Sequence, residues 1–456
     1  MHVHILGICG TLMGSIALLA RAQGHIVTGS DDQVYPPMST QLAEEGIELQ
    51  SPYCRDSIPP DVDLVVLGNA GLGRGNPAVE ALLASRIDFC SGAEFLGRHI
   101  LKDKWVVAIA GTHGKTTTAS LIAWILECAG LHPSYLIGGI PNNFKRSARL
   151  TNSPFFVIEA DEYDTSYFDR QSKFLHYHPQ TLVINNLEFD HADIFEDLKA
   201  IENQFHQLIR QIPEDGLIIH NLDDRNVEAL VQRGCWSQTL SFAINQPPPG
   251  EIDTGFISDP EGSRITLNGS PVGTLDWKLT GAHNVSNALA AIAAARHVGV
   301  LPADSLTHLN GFLGVKRRME QVGLTPGATL YDDFAHHPTA IKTTLEGLRT
   351  KVGDKPIYAL LEPRSHTMRL GHHHAQLGQA CATADRVFWL KPENLAFDLD
   401  LAVSAQGHFT FESDEDFIKS IAQHLAGESQ HVHLVMMSNG AFDALKTALL
   451  QMMRDA

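Results

Sequence analysis

Trp105-Val106-Val107-Ala108-Ile109-Ala110-Gly111-Thr112-His113-Gly114-Lys115-Thr116-Thr117 runs from an apolar stretch through a glycine turn into an Ala/Leu-rich segment, 116–128. A short apolar run closed by glycine reads as a buried strand, and the segment after it as a helix. Glycines let backbone N–H groups curl around phosphate oxygens, and the helix start adds the positive end of its dipole. Lys115 can then reach the β- and γ-phosphates, and the Thr116 hydroxyl can ligate Mg²⁺. Position 109 is Ile where the general phosphate-loop spacing carries Gly, so the strand-to-helix context carries the reading. Gly111, Thr112, His113, Gly114, Lys115, Thr116 and Thr117 are the candidate nucleotide-binding residues.

A nucleoside triphosphate brings Mg²⁺, whose ligands should stand at the ends of neighbouring strands. An apolar strand at 155–158 ends in Glu159-Ala160-Asp161-Glu162-Tyr163-Asp164. A second, at 181–184, ends in Asn185-Asn186-Leu187-Glu188-Phe189-Asp190-His191-Ala192-Asp193. One acidic loop is usually no more than a solvated turn; two of them beside a phosphate loop point to a metal-assisted nucleotide site.

Working outward, the first block opens as βαβ: a strand at 2–6, the turn Gly7-Ile8-Cys9-Gly10-Thr11-Leu12-Met13-Gly14, a helix at 15–22 and a strand at 25–28. The helix start can hold a diphosphate. Asp31 lies where a dinucleotide fold keeps its ribose-binding carboxylate, which makes a nicotinamide or flavin oxidoreductase the rival reading. Hydride transfer needs neither a second phosphate loop nor the acidic strand ends, and both weigh against that rival. A strand at 63–67 and a helix at 76–84 follow, and the charged stretch 96–104 reads as a linker. The Ala/Asn-rich segment 281–298 reads as the last helix of the central block. A Pro/Gly break at 323–327 then precedes a third series, with strands at 329–331, 356–361, 386–390 and 433–437 and a helix at 339–349. Ligands of open α/β sheets gather at the carboxyl ends of the strands.

Composition sets the limits. The 456 residues exceed what one core usually serves. No apolar run approaches the roughly 20 residues needed to span a bilayer, and a formal charge of −18 argues against nucleic acid as a partner. Six scattered cysteines without a Cys-x-x-Cys pair, and an opening with no basic leader, suit the cytoplasm. His372-His373-His374 reads as a solvated helix surface, and Pro247-Pro248-Pro249 is the sole low-complexity run.

Taken together, residues 111–117, Glu159-Ala160-Asp161-Glu162, Asn186-Leu187-Glu188-Phe189-Asp190-His191, Gly281-Ala282-His283-Asn284-Val285-Ser286-Asn287-Ala288 and Tyr331-Asp332-Asp333-Phe334-Ala335-His336-His337-Pro338-Thr339 resemble, in order, the motifs of the Mur ligase family. The resemblance spans the whole chain and implies a three-domain α/β architecture. A Rossmann-like domain, 1–103, would bind a UDP-sugar with its diphosphate on Gly10, Thr11, Leu12, Met13 and Gly14, and with Asp31 and Asn76 as further contacts. A central phosphate-loop ATPase-like domain, 104–323, would bind ATP, and a Rossmann-like domain, 324–456, the incoming peptide.

The resemblance further implies Mg²⁺ on Thr116, Glu159 and His191, adenine contacts from Asn284 and Asn287, a phosphate-facing Arg318, and ribose or catalytic contacts from Asp333 and His336. Lys115, Glu159, His191 and His336 would carry the catalysis. Arg364, His366, Ser438 and Asn439 would meet the peptide, while Arg317 ranks below its neighbour as a surface or interdomain charge. Finer features, 7–14, 34–40, Tyr163, 172–174 and 185–195, resemble the members that join UDP-N-acetylmuramate to the tripeptide L-Ala-γ-D-Glu-meso-diaminopimelate through an acyl phosphate in peptide recycling. Addition of L-alanine to UDP-N-acetylmuramate is the alternative. Several members carbamylate a lysine downstream of the metal-site histidine; here 196–211 offers only Lys199, at too short a spacing. The Asp-Asn-Pro-Arg that reads diaminopimelate in a relative has only a partial echo in Glu362-Pro363-Arg364.

Overall fold

The computed structural model describes residues 1–34, 38–244, 255–259, 262–404, 407–440 and 442–455; Tyr35, Pro36, Pro37 and the 247–249 proline run lie outside them. Among the described residues, three sheets organise the chain. The first is five-stranded and parallel, in the order Glu48–Gln50, Ile26–Ser30, His2–Leu6, Leu64–Leu67, Asp88–Ser91. Strand order reverses beside His2–Leu6, and the turn that follows this strand opens at that switch point, where such sheets bind ligands.

The central sheet has ten strands. Trp105–Ala110 lies between Thr181–Ile184 and Phe155–Glu159 and runs parallel to both, so all three leave the sheet at the same edge. Val106, Val107, Ala108, Ile109 and Ala110 are buried, and each Val or Ile so covered contributes roughly 1.5–3 kcal/mol. The outer strands Gly255–Ser258, Arg264–Leu267 and Ser270–Thr274 form an antiparallel extension that the sequence reading did not anticipate. They are short and only partly apolar. The Ala/Asn-rich helix, Ala282–His297, is followed by another, Pro302–Leu309, so it is not the last of its block.

The third sheet runs Glu320–Leu324, Ala328–Asp333, Val432–Met437, Ile357–Leu361, Arg386–Leu390, His408–Phe411. Only its first pair is antiparallel. The Pro/Gly break expected to separate domains at 323 is the turn of this first hairpin, closed by the Thr325 amide on the Ala328 carbonyl (2.8 Å), so the third sheet begins at Glu320.

Two further expectations are corrected. The stretch expected to be a linker, 96–104, is helical over Leu96–Leu101, where Leu96, Ile100 and Leu101 are buried. Its charges occupy the outer face of an amphipathic turn, which a charge count alone misreads. The histidine triplet spans a turn at Gly371 (φ +80°) and the start of a short 3-10 helix, His374–Gln376: His372 and His374 are exposed as expected, whereas His373 is buried against the His337 ring at 4.4 Å.

By contacts the chain divides into two compact units: Met1–Glu188, Leu198–Asp276 and Asn287–Phe312 in one, Phe189–Asp197, Trp277–Ser286 and Leu313–Ala456 in the other. Among the described residues no helix is long and apolar enough to cross a membrane.

His4, fully buried on the first strand, bonds Thr28 Oγ1 (2.8 Å) and Ser30 Oγ (3.0 Å). Burial first, then the charge of His2, pulls its pKa from 6.5 down to about 4. A folded-state pKa below the unfolded one stabilises above pH 6.5, and that stability is lost as pH falls toward 4, by up to about 3 kcal/mol. His4→Gln should therefore flatten the pH dependence of the urea midpoint between pH 7 and pH 4.5; an unchanged slope would remove His4 as a source of acid sensitivity.

Candidate active site

The phosphate loop needs backbone that only glycine adopts without strain: Gly111 has φ +130° and Gly114 φ +81°. A Cβ on Gly114 would lie 2.4 Å from Asn287 Oδ1, so this turn is pressed against helix Ala282–His297. Thr118 Oγ1 donates to the same Asn287 oxygen (3.1 Å) and receives the Asn185 amide (3.0 Å). The loop is braced from the next strand end as well. Thr112 exchanges bonds with the Glu188 backbone, the His113 amide donates to Asn186 Oδ1 (2.7 Å), and the His113 ring meets the Glu188 carboxylate at 3.2 Å.

Lys115 opens helix Lys115–Cys128, with its ammonium on the Gly111 carbonyl (2.7 Å), on Glu162 (3.0 Å) and near Asp161 (3.7 Å). Burial works against that charge, but Glu162, Asp161 and Glu159 outweigh it and hold the Lys115 pKa above its ordinary value. Lys115 is thus permanently charged, and it is withdrawn onto carboxylates where a triphosphate would compete for it. Thr116 donates to Glu159 Oε2 (3.2 Å), whose other oxygen accepts the Gly138 amide (2.6 Å). Lys173 binds Asp161 Oδ2 (3.1 Å) and lies over the Tyr163 ring. Thr117 is buried in the same first turn.

The remaining nucleotide and catalytic candidates, Asn287 apart, belong to the second unit. His191 takes a left-handed backbone (φ +55°), stabilised by its amide on Asp190 Oδ1 (2.8 Å) and by Ile194 and Phe195 amides on its carbonyl. Asp190 is buried and accepts Thr367 Oγ1 (2.9 Å). Burial alone would raise its pKa; His191 and His336, with those hydrogen bonds, bring it to about 2. Asp333 is buried and accepts the amides of Ala335 (2.8 Å) and Met319 (2.7 Å); burial raises its pKa against the pull of Arg318. Arg318 also presses on His283, whose pKa falls to about 4, mainly through burial. His336 is oriented by its ring nitrogen on the Phe334 carbonyl (2.9 Å), and Asn284 is tied to the Thr280 carbonyl (2.7 Å).

In the first sheet, Gly10 caps helix Thr11–Ala22 with no side-chain partner, leaving the first-turn amides for a ligand. Gly14 serves packing: a Cβ there would fall 2.2 Å from Met38 Sδ. Met13 is buried, Thr11 is exposed and Leu12 is partly covered. Asp31 accepts the Cys9 amide (2.9 Å) and so shapes the turn. The Asn76 side chain is occupied in capping helix Pro77–Ala84, accepting from Ala78 and Val79 amides. In the third sheet, Ser438 bonds Glu362 Oε2 (3.0 Å), Arg364 is half-exposed and His366 starts a short helix capped by Ser365. Lys199 is exposed.

The reading of single motifs missed the roles of three residues, Lys173, Gly138 and Arg317. Lys173, which meets Asp161 from the start of the 3-10 helix Lys173–His176, and the Gly138 amide come from positions that no local pattern encodes. Arg317, ranked as a surface or interdomain charge, is bonded to the 438–440 turn.

A parallel sheet whose central strand ends in a glycine loop, with a buried lysine and flanking strand-end carboxylates, defines a phosphate-loop nucleotide-binding protein. The chain belongs to the Mur ligase family: residues 2–104 match the family's catalytic-domain model, 109–295 its middle domain and 317–440 its glutamate ligase domain. It is 48% identical over 452 residues to the UDP-N-acetylmuramate–L-alanyl-γ-D-glutamyl-meso-2,6-diaminoheptandioate ligase of Escherichia coli K12, covering 99% of this chain and 98% of that one. The crystal structure of a murein peptide ligase from Psychrobacter arcticus superposes with a TM-score of 0.74 at 40% identity, over 100% and 99% of the two chains. A UDP-N-acetylmuramate–L-alanine ligase of Clostridium perfringens is 34% identical over 80% of this chain and 78% of its own.

Gly114→Ala should lower ATP affinity at least about tenfold and destabilise the fold by about 1–3 kcal/mol, because a Cβ meets both an unfavourable φ and Asn287. ATP titration and thermal melts check this; wild-type affinity would show that the loop does not need its glycine.

Proposed function

We infer that the protein is an ATP-dependent ligase that joins UDP-N-acetylmuramate to L-Ala-γ-D-Glu-meso-diaminopimelate in cell-wall peptide recycling. The observation that carries this reading is the largely buried Lys115 ammonium, held at the mouth of the phosphate loop between the Gly111 carbonyl and Glu162. The 48% identity to the E. coli ligase over 99% of the chain, against 34% over 80% for the L-alanine ligase of Clostridium perfringens, supports the tripeptide over L-alanine. We place the reaction in the cytoplasm, in keeping with six free cysteines.

A lactyl carboxylate is a poor electrophile. Its oxygen attacks the γ-phosphorus of ATP, ADP leaves, and an acyl phosphate forms. The peptide nitrogen then attacks the acyl carbon, the C–O bond to phosphate breaks, inorganic phosphate departs and the amine gives up a proton. The first step brings an anion to an anion, so fixed positive charge is required where negative charge gathers. Lys115 supplies it from within the loop, and Arg318 is proposed as a further phosphate-facing charge. His336, with one ring nitrogen on the Phe334 carbonyl, is a base for the amine proton.

The donors around the loop suit Mg²⁺: the Thr116 hydroxyl and Glu159 carboxylate are hard oxygens in contact, and the Asp161 and Glu162 carboxylates face two ammonium groups, Lys115 and Lys173. His191 is the imidazole candidate for that ion. When bound, the ion would neutralise phosphate charge during transfer.

Lys115→Ala should reduce kcat by two or more orders of magnitude, since it removes charge needed most in the transition state, and should also lower the melting temperature, since Glu162 then lies buried without the ammonium it meets. ADP release should require UDP-N-acetylmuramate and rise with the tripeptide far more than with L-alanine. Equal rates with L-alanine would favour the alternative reading.

A further inference from the structure

Arg317 and Arg318 are adjacent, yet Arg317 has a left-handed backbone (φ +58°), held by its amide on Glu320 Oε2 (3.0 Å). Both guanidinium groups lie over the Phe334 ring, at 5.1 and 5.0 Å. Their charges serve different places. Arg318 acts on Asp333 and His283. Arg317 Nη2 donates to the carbonyls of Ser438 (2.7 Å) and Gly440 (2.6 Å), while its Nε faces Asp332 at 3.5 Å.

The turn Ser438-Asn439-Gly440 follows Val432–Met437, between the ends of Ala328–Asp333 and Ile357–Leu361. This is the edge where the parallel strands of such a sheet present ligands. Ser438 Oγ donates to Glu362 and accepts the Gly440 amide, both at 3.0 Å. Arg364 lies against Gly440, where a Cβ would come within 2.5 Å of its Cδ. With two carbonyls on Arg317 and the Ser438 hydroxyl used twice, the turn has little freedom. Among the described residues Asn439 Oδ1 is nevertheless buried with no hydrogen-bond partner. Burying an acceptor unpaired costs about 1–3 kcal/mol, so a donor is expected to complete it.

We propose that Arg317 is a positioning residue of the acceptor-amine site: it fixes the 438–440 turn so that Asn439 Oδ1 receives an N–H of the incoming peptide amine. This rests on the reading that the third domain takes the peptide. An attacking amine must turn its lone pair to the acyl carbon, and its N–H groups then need acceptors. Asn439 offers one that does not become protonated, and the Glu362 carboxylate stands at the same strand ends.

The test separates the peptide step from phosphoryl transfer. Wild type, Arg317→Ala, Arg317→Lys and Asn439→Ala are assayed for tripeptide KM, ATP KM and kcat. A parallel assay replaces the peptide with hydroxylamine, which attacks the acyl phosphate and releases phosphate as a hydroxamate forms. Arg317→Ala and Asn439→Ala should raise the tripeptide KM at least about tenfold while ATP KM and hydroxamate rate stay within about twofold. Lysine has three donors and can reach both carbonyls, so Arg317→Lys should recover most of the loss. An unchanged tripeptide KM in both alanine variants overturns the proposal. So does a parallel loss of ATP KM and hydroxamate formation, which would make Arg317 a general structural brace. Wild-type hydroxamate formation without tripeptide turnover would instead refute the peptide reading itself.

Discussion

A lysine ammonium cannot be buried without partners, and the central domain is arranged around meeting that demand at one point. Three parallel strands end side by side. Trp105–Ala110 delivers the loop and Lys115, Phe155–Glu159 delivers Glu159, Asp161 and Glu162, and Thr181–Ile184 delivers the asparagines and Glu188 that brace the loop. The Ala160 amide on the Ile109 carbonyl (2.8 Å) and the Asn185 amide on the Ala110 carbonyl (3.0 Å) continue the pairing one residue past the strands. The chemistry therefore inherits the precision of the sheet. Removing a carboxylate would leave a buried charge exposed to its desolvation penalty, so loop and acid cluster are parts of a single electrostatic unit.

The second unit solves a related problem with two arginines. Asp332 and Asp333, successive residues of one strand, both lie buried. Asp332 meets Lys446 and Arg317, whereas Asp333 is served by backbone amides and by the charge of Arg318. Alternation along a strand sends neighbouring side chains to opposite faces. The left-handed residues Arg317 and Met319 let the preceding segment follow both. A charge that acts on Asp333 and His283 and a turn-bracing charge thus sit next to each other in sequence.

The legible parts of the sequence were those governed by local rules. Val106 to Ala110 are apolar without interruption because both faces of a central parallel strand are covered, and glycine must follow where the backbone turns left-handed. The strand ends carrying acids were readable for the same reason. What local rules could not reach depended on distant partners. Glu320–Leu324 is an edge strand whose pairing is set by Ala328–Asp333, so the Pro/Gly turn between them resembled a domain break. Leu96, Ile100 and Leu101 are core residues hidden among charges, and His373 is drawn inward by a turn at Gly371. Asn76, expected as a sugar contact from the family resemblance, caps helix Pro77–Ala84 with its side-chain oxygen. The bond between Arg317 and Gly440 crosses more than a hundred residues and leaves no pattern behind.

The central claim is that the loop ending in Lys115 passes a phosphoryl group to the sugar carboxylate before the amide forms. Turnover with UDP-N-acetylmuramate carrying ¹⁸O in both oxygens of its lactyl carboxylate, followed by mass analysis of the released phosphate, tests it most directly. The account predicts one labelled oxygen in each phosphate and one retained in the new amide. Phosphate free of label would contradict it.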